Sequence, residues 1–214
     1  MNLHTIFFDL DGTLTASSPG ILNCVRHALS RMGIDPGEHV IAQNFVGPPL
    51  TQSFMRYYSL DESQAKQALT FYRERFSTVG LFENSVYDGV PEMLAALQAA
   101  GKRLVIATGK PEVYTVRILD HFDLSRYFVH VVGSLLDGSR DEKLDVLRYA
   151  MQLSGCDSGD GCAMVGDRAT DVAAARACGM QAVGVSWGDG SPGELDDADA
   201  LADTPEALTQ ILLA

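Results

Sequence analysis

From about residue 90 onward, the 214-residue chain alternates short apolar runs with amphipathic helical stretches. "GVPEMLAALQAAG" reads as a helix closed by Gly101, "RLVIAT" as a strand and "PEVYTVRILDHFD" as the next helix. "HVVGS", "CAMVGD" and "QAVGVS" read as further strands, with "DEKLDVLRYAMQL" and "ATDVAAARACG" as the helices between them. The tail "TPEALTQILL" is a last helix, with Thr204 as N-cap and Pro205 at its first position. Such alternation restricts the chain to right-handed βαβ units and a parallel sheet covered on both faces. "HTIFF" near the N-terminus, apolar nearly throughout, supplies one more buried strand at residues 4–9.

Residues 16–81 carry no strand pattern. A helix is expected from about Ser17, with Ile21, Leu22, Val25, Ala28, Leu29 and Met32 on one face and a stop near Gly33. Another is expected from Asp61, with Ala65, Ala68, Leu69, Tyr72 and Phe76 on one stripe. Between them "NFVGPPLTQSF" reads as a loop, because Pro48-Pro49 cannot continue a helix. The fold expected is therefore a three-layer, Rossmann-like α/β core of residues 1–15 and 82–214, with an inserted all-helical cap of residues 16–81.

Composition narrows the function. The net charge of -12 and the lack of any Lys/Arg run exclude a phosphate-neutralising nucleic-acid surface. No segment approaches the roughly 20 apolar residues of a membrane span, and Asp9 cuts the N-terminal apolar run too short for a signal peptide. Cys24, Cys156, Cys162 and Cys178 show no paired spacing, which suits free thiols in a reducing compartment. The expectation is a cytoplasmic protein, monomer or homodimer, with no nucleic-acid or membrane partner.

In an open parallel sheet, ligands bind beyond the carboxyl ends of the strands. The residues expected there are Asp9 and Asp11 after the first strand, Thr108, Gly109 and Lys110 after "RLVIAT", Arg140 and Lys143 near the helix after "HVVGS", and Asp167 and Asp171 after "CAMVGD". A calcium loop at Asp9 is excluded, because Thr13, Leu14 and Gly20 stand where it needs an acid, Gly and Glu. A tight set of carboxylates suits Mg²⁺, with Asp9 and Asp167 as direct ligands. Lys143, Thr108 and backbone N–H groups can cradle a phosphate. One carboxylate of the first pair can then attack phosphorus, while the other manages the proton of the leaving oxygen and of water. The loop "NFVGPPL", with Gly47 permitting close approach, is expected to reach the leaving group.

These pieces resemble the haloacid dehalogenase superfamily. "DLDGT" at Asp9–Thr13 matches its DxDGT motif, Thr108 its second motif, Lys143 its third, and "GDRATD" with Asp167 and Asp171 its GDxxxD motif. "FVGPPL", "SLLDGSRDEK" and "MVGDRATD" are similar to its phosphoglycolate-phosphatase branch, which includes 5′-nucleotidases. The resemblance implies Asp9 as nucleophile and Asp11 as general acid/base, with the Asp11 backbone carbonyl on Mg²⁺. It implies that Thr108 and Lys143 hold the phosphoryl group, Asp167 ligates Mg²⁺ and Asp171 supports it. Lys110, Gly109 and Gly47 are the further substrate contacts expected. The function implied is a Mg²⁺-dependent phosphomonoester hydrolase acting on a small phosphorylated metabolite, phosphoglycolate-like or a nucleoside monophosphate. A sugar phosphomutase of the same fold and a catalytically idle binding module are the alternatives. A receiver domain is excluded by length, by the cap and by the position of the acid pair.

Overall fold

Thr5–Phe8 (β1) is buried at every position, so it belongs inside a sheet covered on both faces. The computed structural model describes residues 3–38, 40–41, 45–47, 49–191 and 193–214. Its helices run Ser18–Arg31 (α1), Leu50–Tyr58 (α2), Glu62–Phe76 (α3), Val90–Ala99 (α4), Glu112–His121 (α5), Lys143–Leu153 (α6), Ala169–Ala177 (α7) and Pro205–Leu213 (α8). The remaining strands are Arg103–Pro111 (β2), His130–Ser134 (β3), Cys162–Gly166 (β4), Gln181–Val185 (β5) and Ala200–Ala202 (β6).

The six strands form one sheet in the order β3-β2-β1-β4-β5-β6, and every pairing is parallel. β1 is central, with Phe8 opposite Ile106 on one side and Val165 on the other. The chain therefore winds outward from β1 in both directions, which opens a crevice at the carboxyl ends of β1 and its neighbours. One face packs as a dry cluster of Phe7, Val105, Val132 and Met164 from the strands with Val146 of α6 and Val172 of α7. Truncating a side chain such as Phe7 there would cost about 3–5 kcal/mol.

The chain divides into two compact units, Met1–Ala16 with Val86–Ala214, and Ser17–Ser85. The second junction falls later than residue 81 for a visible reason. A 3₁₀ turn at Gly80–Phe82 follows α3, and Glu83 pairs with Arg75 of α3 at 2.6 Å, which ties the segment to the helical unit.

Four points need correction. The segment "NFVGPPLTQSF" is not a loop throughout: α2 starts at Leu50 with Pro49 as its N-cap. A proline forbids continuing a helix but not opening one. Asn44 and Pro48 of that segment lie outside the described residues. β2 runs on past Thr108 to Pro111, with an irregularity in its pairing between Ala107 and Pro111. β6, three residues between acidic neighbours, carries too little pattern to be read. On α1, Cys24 is buried where Leu22 was expected.

α3 begins with a reciprocal cap. Asp61 Oδ1 accepts from Gln64 N at 2.8 Å, and Asp61 N donates to Gln64 Oε1 at 3.0 Å. Asp61→Ala should destabilise the helical unit by about 1 kcal/mol and Asp61→Ser by only a few tenths, measured by urea unfolding. No helix among the described residues is long and apolar enough to cross a membrane.

Candidate active site

Asp9 follows β1 directly. Its N–H donates to Val165 O at 2.9 Å, and its Oδ1 accepts from Leu10 N at 2.8 Å, which fixes the carboxylate at the strand end. The chain then turns through Gly12, whose φ of 78° lies in the left-handed region. A Cβ on Gly12 would stand 2.3 Å from Asp167 Oδ2, so this turn and the end of β4 meet at a position only glycine fits.

Asp167 follows β4 and Asp171 lies in the first turn of α7; both are buried. Asp171 accepts from Arg168 N at 3.1 Å. Carboxylate oxygens of Asp9, Asp167 and Asp171 all lie within 4.8 Å of one another. Lys143, the first residue of α6, reaches into the group with Nζ 3.0 Å from Asp9 Oδ1 and 2.7 Å from Asp171 Oδ1. It also donates to Ala107 O at 3.3 Å. A cation at a helix N-terminus opposes the helix dipole, so the aspartates, not α6, hold the lysine in place.

The electrostatics follow from burial. Burial depresses the Lys143 ammonium, but the charges of Asp171 and Asp9 outweigh it and hold Lys143 above the ordinary lysine value. Asp167 is pushed up to about 8, by burial first and then by Asp9 and Asp171, against the Asp189 N–H and Arg168. Asp171 is raised by burial, with Lys143 pulling it back. With all three carboxylates ionised, the one ammonium would leave two negative charges in a buried site. A divalent cation with oxygen preference matches that excess and reverses the upward pressure on the acids. The donor set therefore fits Mg²⁺.

Asp11 stands apart from this group. Its Oδ2 accepts from Lys110 Nζ at 2.6 Å, with side chains 22% and 5% exposed respectively. Its buried Oδ1 has no hydrogen-bond partner among the described residues. Each aspartate of the first pair thus has its own lysine: Lys143 for Asp9, Lys110 for Asp11. Lys110, expected to contact substrate, is paired with Asp11.

Thr108 is buried and its hydroxyl accepts from Lys110 N at 3.3 Å. Gly109 is exposed, and a Cβ there would meet nothing within 4 Å. Gly47 belongs to the helical unit and has a φ of 101°. Arg140 and Arg168 are engaged in ion pairs, with Glu112 at 2.8 Å and Glu194 at 2.9 Å. Phe45 is packed inside the helical unit against Phe54, ring centroids 5.2 Å apart, so it is core there.

The sequence reading missed the loop after β5, residues 186–190. Asp189 N donates to Asp167 Oδ2 at 2.9 Å, and Trp187 Nε1 donates to Thr13 O at 3.1 Å. Its one sequence signal was a tryptophan followed by Gly-Asp-Gly immediately beyond a strand.

Residues 6–185 match the family of haloacid dehalogenase-like hydrolases. A 5′-nucleotidase from Pseudomonas aeruginosa is 44% identical over 190 residues, 89% of this chain and 86% of that protein. A protein from Mycobacterium tuberculosis named tyrosine-protein kinase PtkA is 42% identical over 89% of this chain and 65% of its own length. A phosphoglycolate phosphatase from Colwellia psychrerythraea is 30% identical over 86% of this chain and 85% of that protein. Among solved structures, a predicted phosphatase from Clostridium acetobutylicum superposes with a TM-score of 0.91 at 41% identity, over 100% of this chain and 99% of that one. The chain belongs to the haloacid dehalogenase-like hydrolases. Within them it is a phosphatase, a phosphoric monoester hydrolase.

Proposed function

We propose that this phosphatase hydrolyses a small phosphorylated metabolite through an aspartyl-phosphate on Asp9, with Mg²⁺ as cofactor. The observation that carries the reading is the buried group of Asp9, Asp167 and Asp171 around the Lys143 ammonium, with Asp11 held separately by Lys110. Asp9 and Asp167 would hold Mg²⁺, with the Asp11 backbone carbonyl as a further ligand and Asp171 as support. When bound, the ion supplies positive charge that offsets the phosphate dianion among the carboxylates.

The protein's own groups divide the remaining work. Lys143 and the Thr108 hydroxyl hold phosphoryl oxygens, with backbone N–H groups near Gly109 adding to the cradle. An Asp9 oxygen attacks phosphorus, forming the O–P bond as the ester oxygen departs. Asp11 gives its proton to that oxygen, then takes one from the water that attacks the phosphoenzyme. Inorganic phosphate leaves and the Asp9 carboxylate is restored. Lys110 keeps Asp11 beside this line of attack. The segment around Gly47 is assigned a part in substrate choice. Leu50 is the position to vary, because Phe45 substitutions would unpack the unit; an unaltered substrate profile would remove that part.

The substrate class is a phosphoglycolate-like acid or a nucleoside monophosphate, the classes in the names of two relatives. The four free thiols suit a reducing, cytoplasmic setting. The test is a panel of phosphoglycolate, nucleoside 5′-monophosphates, sugar phosphates and phosphotyrosine, each assayed in EDTA and in Mg²⁺. Hydrolysis of one class in Mg²⁺, falling to background in EDTA, is the expected result. Full rates in EDTA would refute the cofactor, and isomerisation of a sugar phosphate without phosphate release would favour a mutase.

A further inference from the structure

Asp167 is the acid whose placement depends most on a segment outside the recognised motifs. Its Oδ1 accepts from the Thr13 hydroxyl at 3.4 Å and its Oδ2 from Asp189 N at 2.9 Å. The second donor belongs to the loop after β5. The loop is pressed so close that a Cβ on Gly188 would stand 2.4 Å from Asp167 Cβ and 2.4 Å from Gly12 O. A Cβ on Gly190 would stand 2.1 Å from Asp167 O. Such contacts leave no room for a side chain at either position, and they fix where Asp189 N points.

The same loop is anchored to the turn after the aspartate pair. Trp187 is the only tryptophan in the chain. Its indole N–H donates to Thr13 O at 3.1 Å, and its ring meets Tyr87 edge-on with centroids 6.4 Å apart. The loop thus spans the ends of β1 and β4. It grips the Thr13 carbonyl on one side and the Asp167 carboxylate on the other, with Gly188 between them. Mutating groups that orient a ligand in this way typically costs about 10–100-fold in metal affinity or activity.

We propose that Trp187-Gly188-Asp189 is a positioning clamp that sets Asp167 for the divalent cation, with Trp187 as its anchoring residue. This rests on the reading of Asp167 as a metal ligand. The clamp acts through geometry: the indole N–H fixes the loop on the turn, and the fixed loop presents Asp189 N to Asp167 Oδ2. Trp187→Phe keeps an aromatic ring against Tyr87 and removes the indole donor with part of the ring, and the unfolding temperature separates lost packing from the lost anchor. Gly188→Ala attacks the clamp at its tightest point.

The test is Mg²⁺ binding by isothermal titration calorimetry to wild type, Trp187→Phe and Gly188→Ala, with thermal unfolding in EDTA as the check on folding. In wild type, the Trp187 fluorescence provides a second binding signal, since no other tryptophan contributes. The expected result is a wild type that binds Mg²⁺ with a change in that fluorescence. Trp187→Phe should have an unfolding temperature near wild type and a Kd for Mg²⁺ raised about 10-fold. Excess Mg²⁺ should recover most of its turnover, which places the loss in metal affinity and not in kcat. Gly188→Ala should bind Mg²⁺ at least as poorly. A Trp187→Phe protein that folds and binds Mg²⁺ with wild-type affinity overturns the clamp while leaving Asp167 as a ligand. A wild type that binds no divalent cation overturns the metal reading itself, and the clamp with it.

Discussion

Asp9→Asn should lower the turnover of p-nitrophenyl phosphate by at least about 10⁴-fold, the scale of losing a nucleophile from an intact site. An amide carries no negative charge and cannot form the phosphoenzyme at a useful rate. The substitution is nearly isosteric, and the local hydrogen bonds survive it. An asparagine oxygen can still accept from Leu10 N, as Asp9 Oδ1 does at 2.8 Å, and the backbone bond to Val165 is untouched. Lys143 keeps Asp171 as its partner at 2.7 Å. Loss of rate with an unfolding temperature within a few degrees of wild type is therefore the expected outcome. A variant that turns over substrate within 10-fold of wild type would remove Asp9 from the nucleophile's role.

The second large effect concerns Lys143, and it is on stability as well as rate. The ammonium has three donors, and three oxygens face it: Asp9 Oδ1, Asp171 Oδ1 and Ala107 O. Lys143→Met would leave three buried carboxylates with no cation among them. Removing one partner of a buried ionic group costs about 3–5 kcal/mol, a large share of the roughly 5–15 kcal/mol typical of a domain. In EDTA the urea midpoint should fall accordingly. In Mg²⁺ the deficit should narrow, because an ion that binds only the folded form stabilises it by mass action. Turnover should still fall about 10²–10³-fold, since a charged donor to the phosphoryl oxygens is gone. An unchanged midpoint in EDTA would mean that Lys143 is not the charge that holds the cluster together.

Much of this arrangement is legible in the sequence, because the β/α alternation puts Asp9, Thr108, Lys143 and Asp167 at the carboxyl ends of the strands. What the sequence could not tell was which cation serves which acid. Lys110, near the end of β2, and Lys143, beyond the neighbouring β3, carry the same charge, and only the fold turns one to Asp11 and the other to Asp9 and Asp171. The loop at Trp187–Asp189 was illegible for another reason. Its contribution to Asp167 is a backbone N–H, which every residue but proline carries, so no residue type announces it. α2 was hidden by Pro49, which forbids continuing a helix yet opens this one. β6 is three residues long, below the length at which alternation can be recognised.

The most direct measurement is acid quenching of the Asp11→Asn variant during turnover of a phosphate-labelled substrate in Mg²⁺, followed by peptide mapping. Without the proton-handling acid, breakdown of the intermediate slows and the phosphoenzyme accumulates. Label that is stable to acid, released by hydroxylamine and confined to the peptide containing Asp9 is the expected result. Label on another residue, or phosphate release at the wild-type rate with no labelled peptide, would contradict an aspartyl-phosphate on Asp9.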